Sequence, residues 1–133
     1  GGELPLFLIK GRINMTLQEV LTKADDLKPN QYEEGNKLDW INTVENWVYQ
    51  TMKRRKGSEE IEKPQIDTNS DCNEELLLPD AYCNIYIYYI HAMIDYFNGE
   101  TTRYNNSAIM YDNAWSEFEN YWYREHPRYL MES

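Results

Sequence analysis

Asn84-Ile85-Tyr86-Ile87-Tyr88-Tyr89-Ile90-His91-Ala92-Met93-Ile94-Asp95-Tyr96-Phe97-Asn98-Gly99-Glu100 is the stretch that decides the fold of this chain. Tyr82, Tyr86, Tyr89, Met93 and Tyr96 recur at helical spacing and form one stripe, while Ile87, Ile90 and Ile94 form a second. A helix with two apolar stripes makes contacts on two sides, which places it at the centre of a small bundle. Gly99 interrupts the run and suits the position just past a helix end. Beyond it, Tyr104, Ala108, Tyr111, Trp115, Phe118 and Trp122 recur at intervals of 4, 3, 4, 3 and 4. That is the seam spacing of packed antiparallel helices, and Pro127 ends the pattern.

Upstream, Thr16-Leu17-Gln18-Glu19 reads as a capping box, with Thr16 as N-cap and Glu19 three residues on. A short first helix follows, over about 17–26, and Pro29 breaks it. Asn30 is placed to cap a second helix over about 32–55, whose stripe is Ile41, Val44, Val48 and Met52, widened by Trp40 and Trp47. Residues 57–79 lose the periodicity. They are rich in Ser, Asn, Asp and Glu, and a connection of this length is expected to be mobile in an isolated subunit. Short extended pieces near Ile61 and Leu76 could pair as a hairpin. Pro79-Asp80 opens the third helix. The expected fold class is therefore all-α: a small helical bundle of about four helices with a long acidic loop between helices 2 and 3. Residues 1–14 read as an N-terminal extension, flexible or upstream of a start at Met15, residues 15–126 as one domain, and 127–133 as a C-terminal tail.

A chain of 133 residues supports one core. Its net charge is −10, distributed as +1 over residues 1–56, −6 over 57–79 and −5 over 80–133. Phosphates repel so acidic a protein, so tight nucleic-acid binding is not expected. The one basic cluster, Lys53-Arg54-Arg55-Lys56, falls where the second helix should end, and there cations complement the helix dipole. Ten of the twelve tyrosines lie between Tyr82 and Tyr129. Tyr fills space with its ring and keeps its hydroxyl at a polar boundary, so a Tyr-rich helix pair suggests a core that opens onto an interface. Cys72 and Cys83 make neither a disulfide framework nor a metal spacing, which fits a reducing compartment. No apolar run reaches the roughly 20 residues that cross a bilayer. Leu4-Pro5-Leu6-Phe7-Leu8-Ile9 lacks the basic lead and cleavage site of a signal peptide.

The search for chemistry is negative. His91 and His126 lie on different elements, and His91 is followed one turn later by Asp95, a pair that reads as structural. No phosphate loop, metal spacing or nucleophile elbow occurs, so catalytic, cofactor-binding and metal-binding residues are all expected to be absent. Tyr82, Tyr86, Tyr89, Met93, Tyr104, Tyr111, Trp115, Phe118 and Trp122 are expected to form the packing core. Asn98, Glu100, Asn105 and Asn106 are polar residues within an aromatic helix pair. Buried, they would need partners, and a polar network fixing the helix crossing is one way to supply them.

The chain resembles the phage head–tail connector (neck adaptor) family, in its small all-helical form from siphophages and clostridial-type prophages. The resemblance is carried by Met15-Thr16-Leu17, Lys28-Pro29-Asn30, Trp40, Leu76-Leu77-Leu78-Pro79-Asp80 with Tyr82, Tyr86-Ile87-Tyr88-Tyr89, Ile94-Asp95-Tyr96, Asn98-Gly99-Glu100, Arg103-Tyr104-Asn105-Asn106 and Tyr121-Trp122-Tyr123-Arg124. It spans about residues 15–126 and is most specific in the C-terminal half. The resemblance implies a structural virion-assembly protein, not an enzyme, forming a homo-oligomeric ring between the capsid portal and the tail. Its implied partners are the portal protein and a tail-side neck protein. Its implied location is the virion neck, reached from the bacterial host cytoplasm, without a membrane, with DNA passing through the ring and with isolated subunits that can be monomeric. Two other classes remain open on the residues alone. One is an acidic phage-encoded regulatory or inhibitory binding protein. The other is a small terminase-like DNA-packaging component, which would need a basic recognition helix that only Lys53–Lys56 approaches.

Overall fold

The computed structural model describes residues 14–130. The element order is β1 (Asn14–Thr16), α1 (Leu17–Leu27), α2 (Glu34–Lys53), β2 (Glu75–Pro79), one 3-10 turn (Asp80–Tyr82), α3 (Asn84–Phe97) and α4 (Thr101–Glu125). The described residues thus form a mostly helical bundle of four α-helices, with one addition to the all-α reading, a two-stranded antiparallel sheet. The expected extension over residues 1–13 and the end of the tail, 131–133, lie outside the described residues. Asn14, assigned to that extension by the sequence, is in β1.

The helix ends follow from local chemistry. At α1 the capping box forms as expected: Thr16 Oγ1 accepts the Glu19 N–H, and Glu19 Oε1 accepts the Thr16 N–H. The Leu17 and Gln18 N–H groups donate to the carbonyls of Glu74 and Cys72, so the long loop satisfies two further donors of the first turn. Asn30 does not cap α2. Its Oδ1 accepts the Tyr32 N–H and its Nδ2 reaches Asp25, which bends the chain into a turn, and α2 begins four residues later. Pro79-Asp80 opens only the 3-10 turn, and α3 starts at Asn84. Gly99 adopts φ +73 between α3 and α4, a conformation that a side chain would strain.

α3 is the central element and packs on α1, α2 and α4. It buries Ile85, Tyr86, Ile87, Ile90 and Ile94 against Leu17, Val20, Leu21 and Ala24 of α1 and Leu38, Ile41, Val44, Val48 and Met52 of α2. β2 closes one end of this core with Leu76 and Leu78 inward. It pairs with β1 rather than with the segment near Ile61: Asn14 faces Pro79 and Thr16 faces Glu75. The Asn14 amide also donates to the Leu76 carbonyl at 2.8 Å. The loop between α2 and β2 is irregular but anchored to its own bundle. Ser58 and Ile66 are buried, the Ile66 N–H donates to Asn42 Oδ1, and Lys53 Nζ donates to the Ser58 and Glu59 carbonyls. Scattered apolar residues in a polar stretch were enough to seat it.

α4 lies along α3 and buries only Phe118 and Trp122 outright. Tyr104, Tyr111 and Trp115 of the same seam are half-buried. Phe118→Ala should therefore destabilise by about 3–5 kcal/mol in urea unfolding, and Trp115→Ala by clearly less. Equal costs would show that the seam is buried along its whole length.

Candidate interaction surface

The core holds a carboxylate. Glu45 of α2 has no exposed surface, and it joins three elements. Its Oε1 accepts the Tyr86 hydroxyl from α3, and its Oε2 accepts the Leu77 N–H from β2 at 2.7 Å. The Tyr86 oxygen in turn accepts the Leu78 N–H at 3.1 Å. Every donor in this knot is satisfied when Glu45 is ionised, but burial penalises that charge and pushes its carboxyl up to about 7, against the lowering pull of the Tyr86 and Leu77 hydrogen bonds and of Lys63. Tyr86 is raised well above the usual phenol range, first by burial and then by the Glu45 charge.

A second set ties α1 to the turn between α3 and α4. Lys28 Nζ donates to both Asp95 oxygens at 2.7 Å, and Ser107 Oγ of α4 donates to Asp95 Oδ2 at 3.0 Å. Buried Lys37 reaches Asp25 at 2.9 Å. His91 places Nε2 2.9 Å from the Ala24 carbonyl, and burial holds its pKa below the usual imidazole value. This is the structural role the sequence suggests for His91, although Asp95 spends its carboxylate on Lys28. The side chains of Asn98, Glu100, Asn105 and Asn106 do not converge into one network. Asn98 accepts the Tyr32 hydroxyl at 2.7 Å and Glu100 pairs with Arg103 at 2.9 Å. Asn105 and Asn106 are exposed. The crossing of α3 and α4 is fixed instead by Asp95, whose carbonyl also accepts the Glu100 N–H.

The expected packing residues divide into two groups. Tyr86, Phe118 and Trp122 are core. Tyr82 stacks on Tyr121 and meets Phe118 edge-on, and Tyr89 touches both Trp47 and Tyr111. Met93 and Tyr104 are half-buried. Between α2 and α4 the aromatic row lines an open groove of about 570 Å³, formed by Trp47, Gln50, Thr51, Arg54, Tyr111, Asp112, Trp115 and Glu119. Open to solvent and lined by aromatic rings alongside polar and charged side chains, it has the anatomy of a protein contact rather than of a reaction chamber. Trp47 in its wall, and Ile109 and Met110 of α4, are large apolar side chains left exposed. Among the described residues no three His, Cys, Asp or Glu side chains are grouped to hold a metal, and no helix is long and apolar enough to cross a membrane.

Sequence reasoning missed Glu45 and Lys28. The signal for Glu45 was present: it lies inside the stripe Leu38, Ile41, Val44, Val48 and Met52, where a carboxylate must be buried. Comparisons with models of known protein families, with curated proteins and with solved structures find no match to this chain.

Glu45 should make stability depend on pH. Its carboxyl is near 7 in the folded chain and near 4.5 in the reference state, so its contribution is complete below about pH 4.5 and is lost as pH rises through 7. The loss is on the order of 3 kcal/mol. Urea unfolding between pH 5 and 8 should show this slope in the native chain and a flatter one in Glu45→Gln. Parallel slopes would contradict it. Tyr86→Phe strands the Leu78 N–H and one Glu45 oxygen, and should cost about 1–3 kcal/mol at any pH in that range.

Proposed function

We propose that this chain is a structural subunit of a phage or prophage neck, assembled as a ring between the capsid portal and the tail and performing no chemistry of its own. The observation that carries this reading is the state of α4: a helix of 25 residues that buries Phe118 and Trp122 alone and leaves the rest half-buried or open. A helix so incompletely buried suits a protein whose surface is completed by neighbours. The groove beside it, lined by Trp47, Tyr111 and Trp115, suits a docked protein segment. The resemblance to the connector family supplies the identity of those neighbours, the portal protein and a tail-side neck protein.

The charge is compatible with this role. A channel that conducts DNA should not hold it, and a net charge of −10 disfavours a grip on phosphates.

Deleting the gene from the phage that encodes this chain should leave DNA packaging intact and yield heads that leak DNA or fail to join tails, as seen by electron microscopy and infectivity. The purified virion should contain the protein. Fully infectious particles without it, or its absence from virions, would favour an acidic regulatory binder instead.

A further inference from the structure

Two features of opposite charge lie on different flanks of the bundle. Where α2 and α4 end together, Arg54, Arg55 and Arg128 join Tyr123 and Tyr129 in lining an open pocket of about 430 Å³, in whose wall no carboxylate stands among the described residues. Arg55 lies over the Tyr123 ring, 3.9 Å from its centre, and donates to the carbonyls of Tyr123 and His126. Arg54 donates to the Tyr123 hydroxyl at 3.3 Å. These partners are uncharged, so they position two guanidinium groups without neutralising them. Arg54 and Arg128 are exposed, and neither forms an ion pair among the described residues. Two carboxylates stand nearby: Glu59 accepts the rim hydroxyl of Tyr129 at 3.3 Å, and Glu119 in the neighbouring groove acts weakly on Arg54.

The counterpart is Asp67-Thr68-Asn69-Ser70-Asp71-Cys72-Asn73-Glu74-Glu75, four carboxylates without a cation and mostly exposed. Asp67 and Asp71 shape it into turns by accepting the N–H groups of Asn69 and Asn73. Buried Ile66 and Leu76 pin its two ends, and the Ile66 N–H is tied to Asn42 of α2. Arg54, which caps the C-terminal end of α2, follows Asn42 by a rotation of roughly 120° and a rise of about 18 Å. Pinned on that other flank, the acidic stretch is held away from the pocket of its own chain.

We propose that the pocket of Arg54, Arg55 and Arg128 receives the acidic 67–75 stretch of a second copy of this chain, so that copies associate head to tail. A guanidinium fork matches a carboxylate in two parallel hydrogen bonds. Because the two patches do not overlap, each contact leaves one pocket and one stretch free, and the association propagates until it closes or continues as a filament. At physiological salt the Debye length of about 8 Å damps the general repulsion between copies more than it weakens pairs at contact. The proposal deepens the connector reading by naming the contact between subunits, and it rests on that reading only for closure into a ring.

Sedimentation velocity of the full chain, up to about 1 mM at physiological salt, tests the contact. The native chain should form species larger than a dimer. Arg54→Gln with Arg128→Gln should weaken association roughly tenfold or more, and so should Glu74→Gln with Glu75→Gln, which spares the turn-forming Asp67 and Asp71. An equimolar mixture of the two variants should give dimers and nothing larger, since only one intact pocket and one intact stretch then meet. Circular dichroism identifies a variant that fails to fold. In that case a synthetic peptide of residues 67–75 is titrated onto the native chain, and shifts of the Arg54 and Tyr123 resonances support the contact. A monomeric native chain at the highest concentration, variants that associate as the native chain does, or a mixture without dimers would overturn it. So would resonances that respond to inorganic phosphate and not to the peptide, which would mark an anion site. None of these results depends on whether the protein is found in virions, so this contact and the connector reading can fail separately.

Discussion

The hydrogen-bonded knot of Glu45, Tyr86 and β2 is the constraint around which the remaining structure is arranged. Burying a carboxylate is costly unless its lone pairs are met. Here they are met by one side chain and one backbone N–H from two different elements, and the Tyr86 oxygen takes a second strand N–H. The strand is too short to be stable by itself. It is held in place by supplying the donors that the helices lack, and it thereby brings Leu76 and Leu78 over the core. The β1–β2 pairing and the seat of the long loop both follow from that anchoring. A core built this way is specified by direction as well as by volume, because a shifted strand would offer the wrong atoms.

Much of this was legible in the residues, because the helices announce themselves through period and caps. The seam from Tyr104 to Trp122 gave α4 almost whole, and Thr16 with Glu19 fixed the start of α1. What failed to show was non-local. Nothing in Glu75–Pro79 indicates that it will pair with residues some sixty positions earlier, because strand pairing depends on the partner and not on the segment. Asn30, Asn105 and Asn106 were read as partners in caps or networks. In the folded chain local turns and solvent claim them, while Asp95 and Lys28 do the tying. A short apolar run such as Leu76-Leu77-Leu78 is ambiguous by period alone. For the candidate surface, the aromatic row was evident, but its half-buried state was not. Spacing tells which residues share a face, whereas only the packed neighbours tell how far that face is covered.

That half-covered state is where fold and function meet. α4 leans on α3 and has little against its other sides until its last turns, where Trp122 donates to the Met52 carbonyl and stacks on His126. Those last turns join the end of α2 into a rigid corner through Arg55 and the Lys56–Pro127 backbone bond. The helix is therefore firm at one end and open along its length, an arrangement suited to presenting a stiff edge to other proteins.

The β1–β2 pairing also bears on how the chain is made. Its partners lie at the two extremes of the first half of the fold, while α3 and α4 are neighbours joined at Gly99. Local contacts form fast and distant ones late. During synthesis α1 and α2 emerge before Tyr86 exists, so Glu45 stays hydrated and the first two helices have no core to close. Completion must wait for the α3–α4 hairpin, since β2 is tied into the core through Tyr86 of α3. In this chain the ribosome delivers the outer walls first and the central post afterwards, which makes the native state an outcome of the whole chain rather than of its N-terminal half.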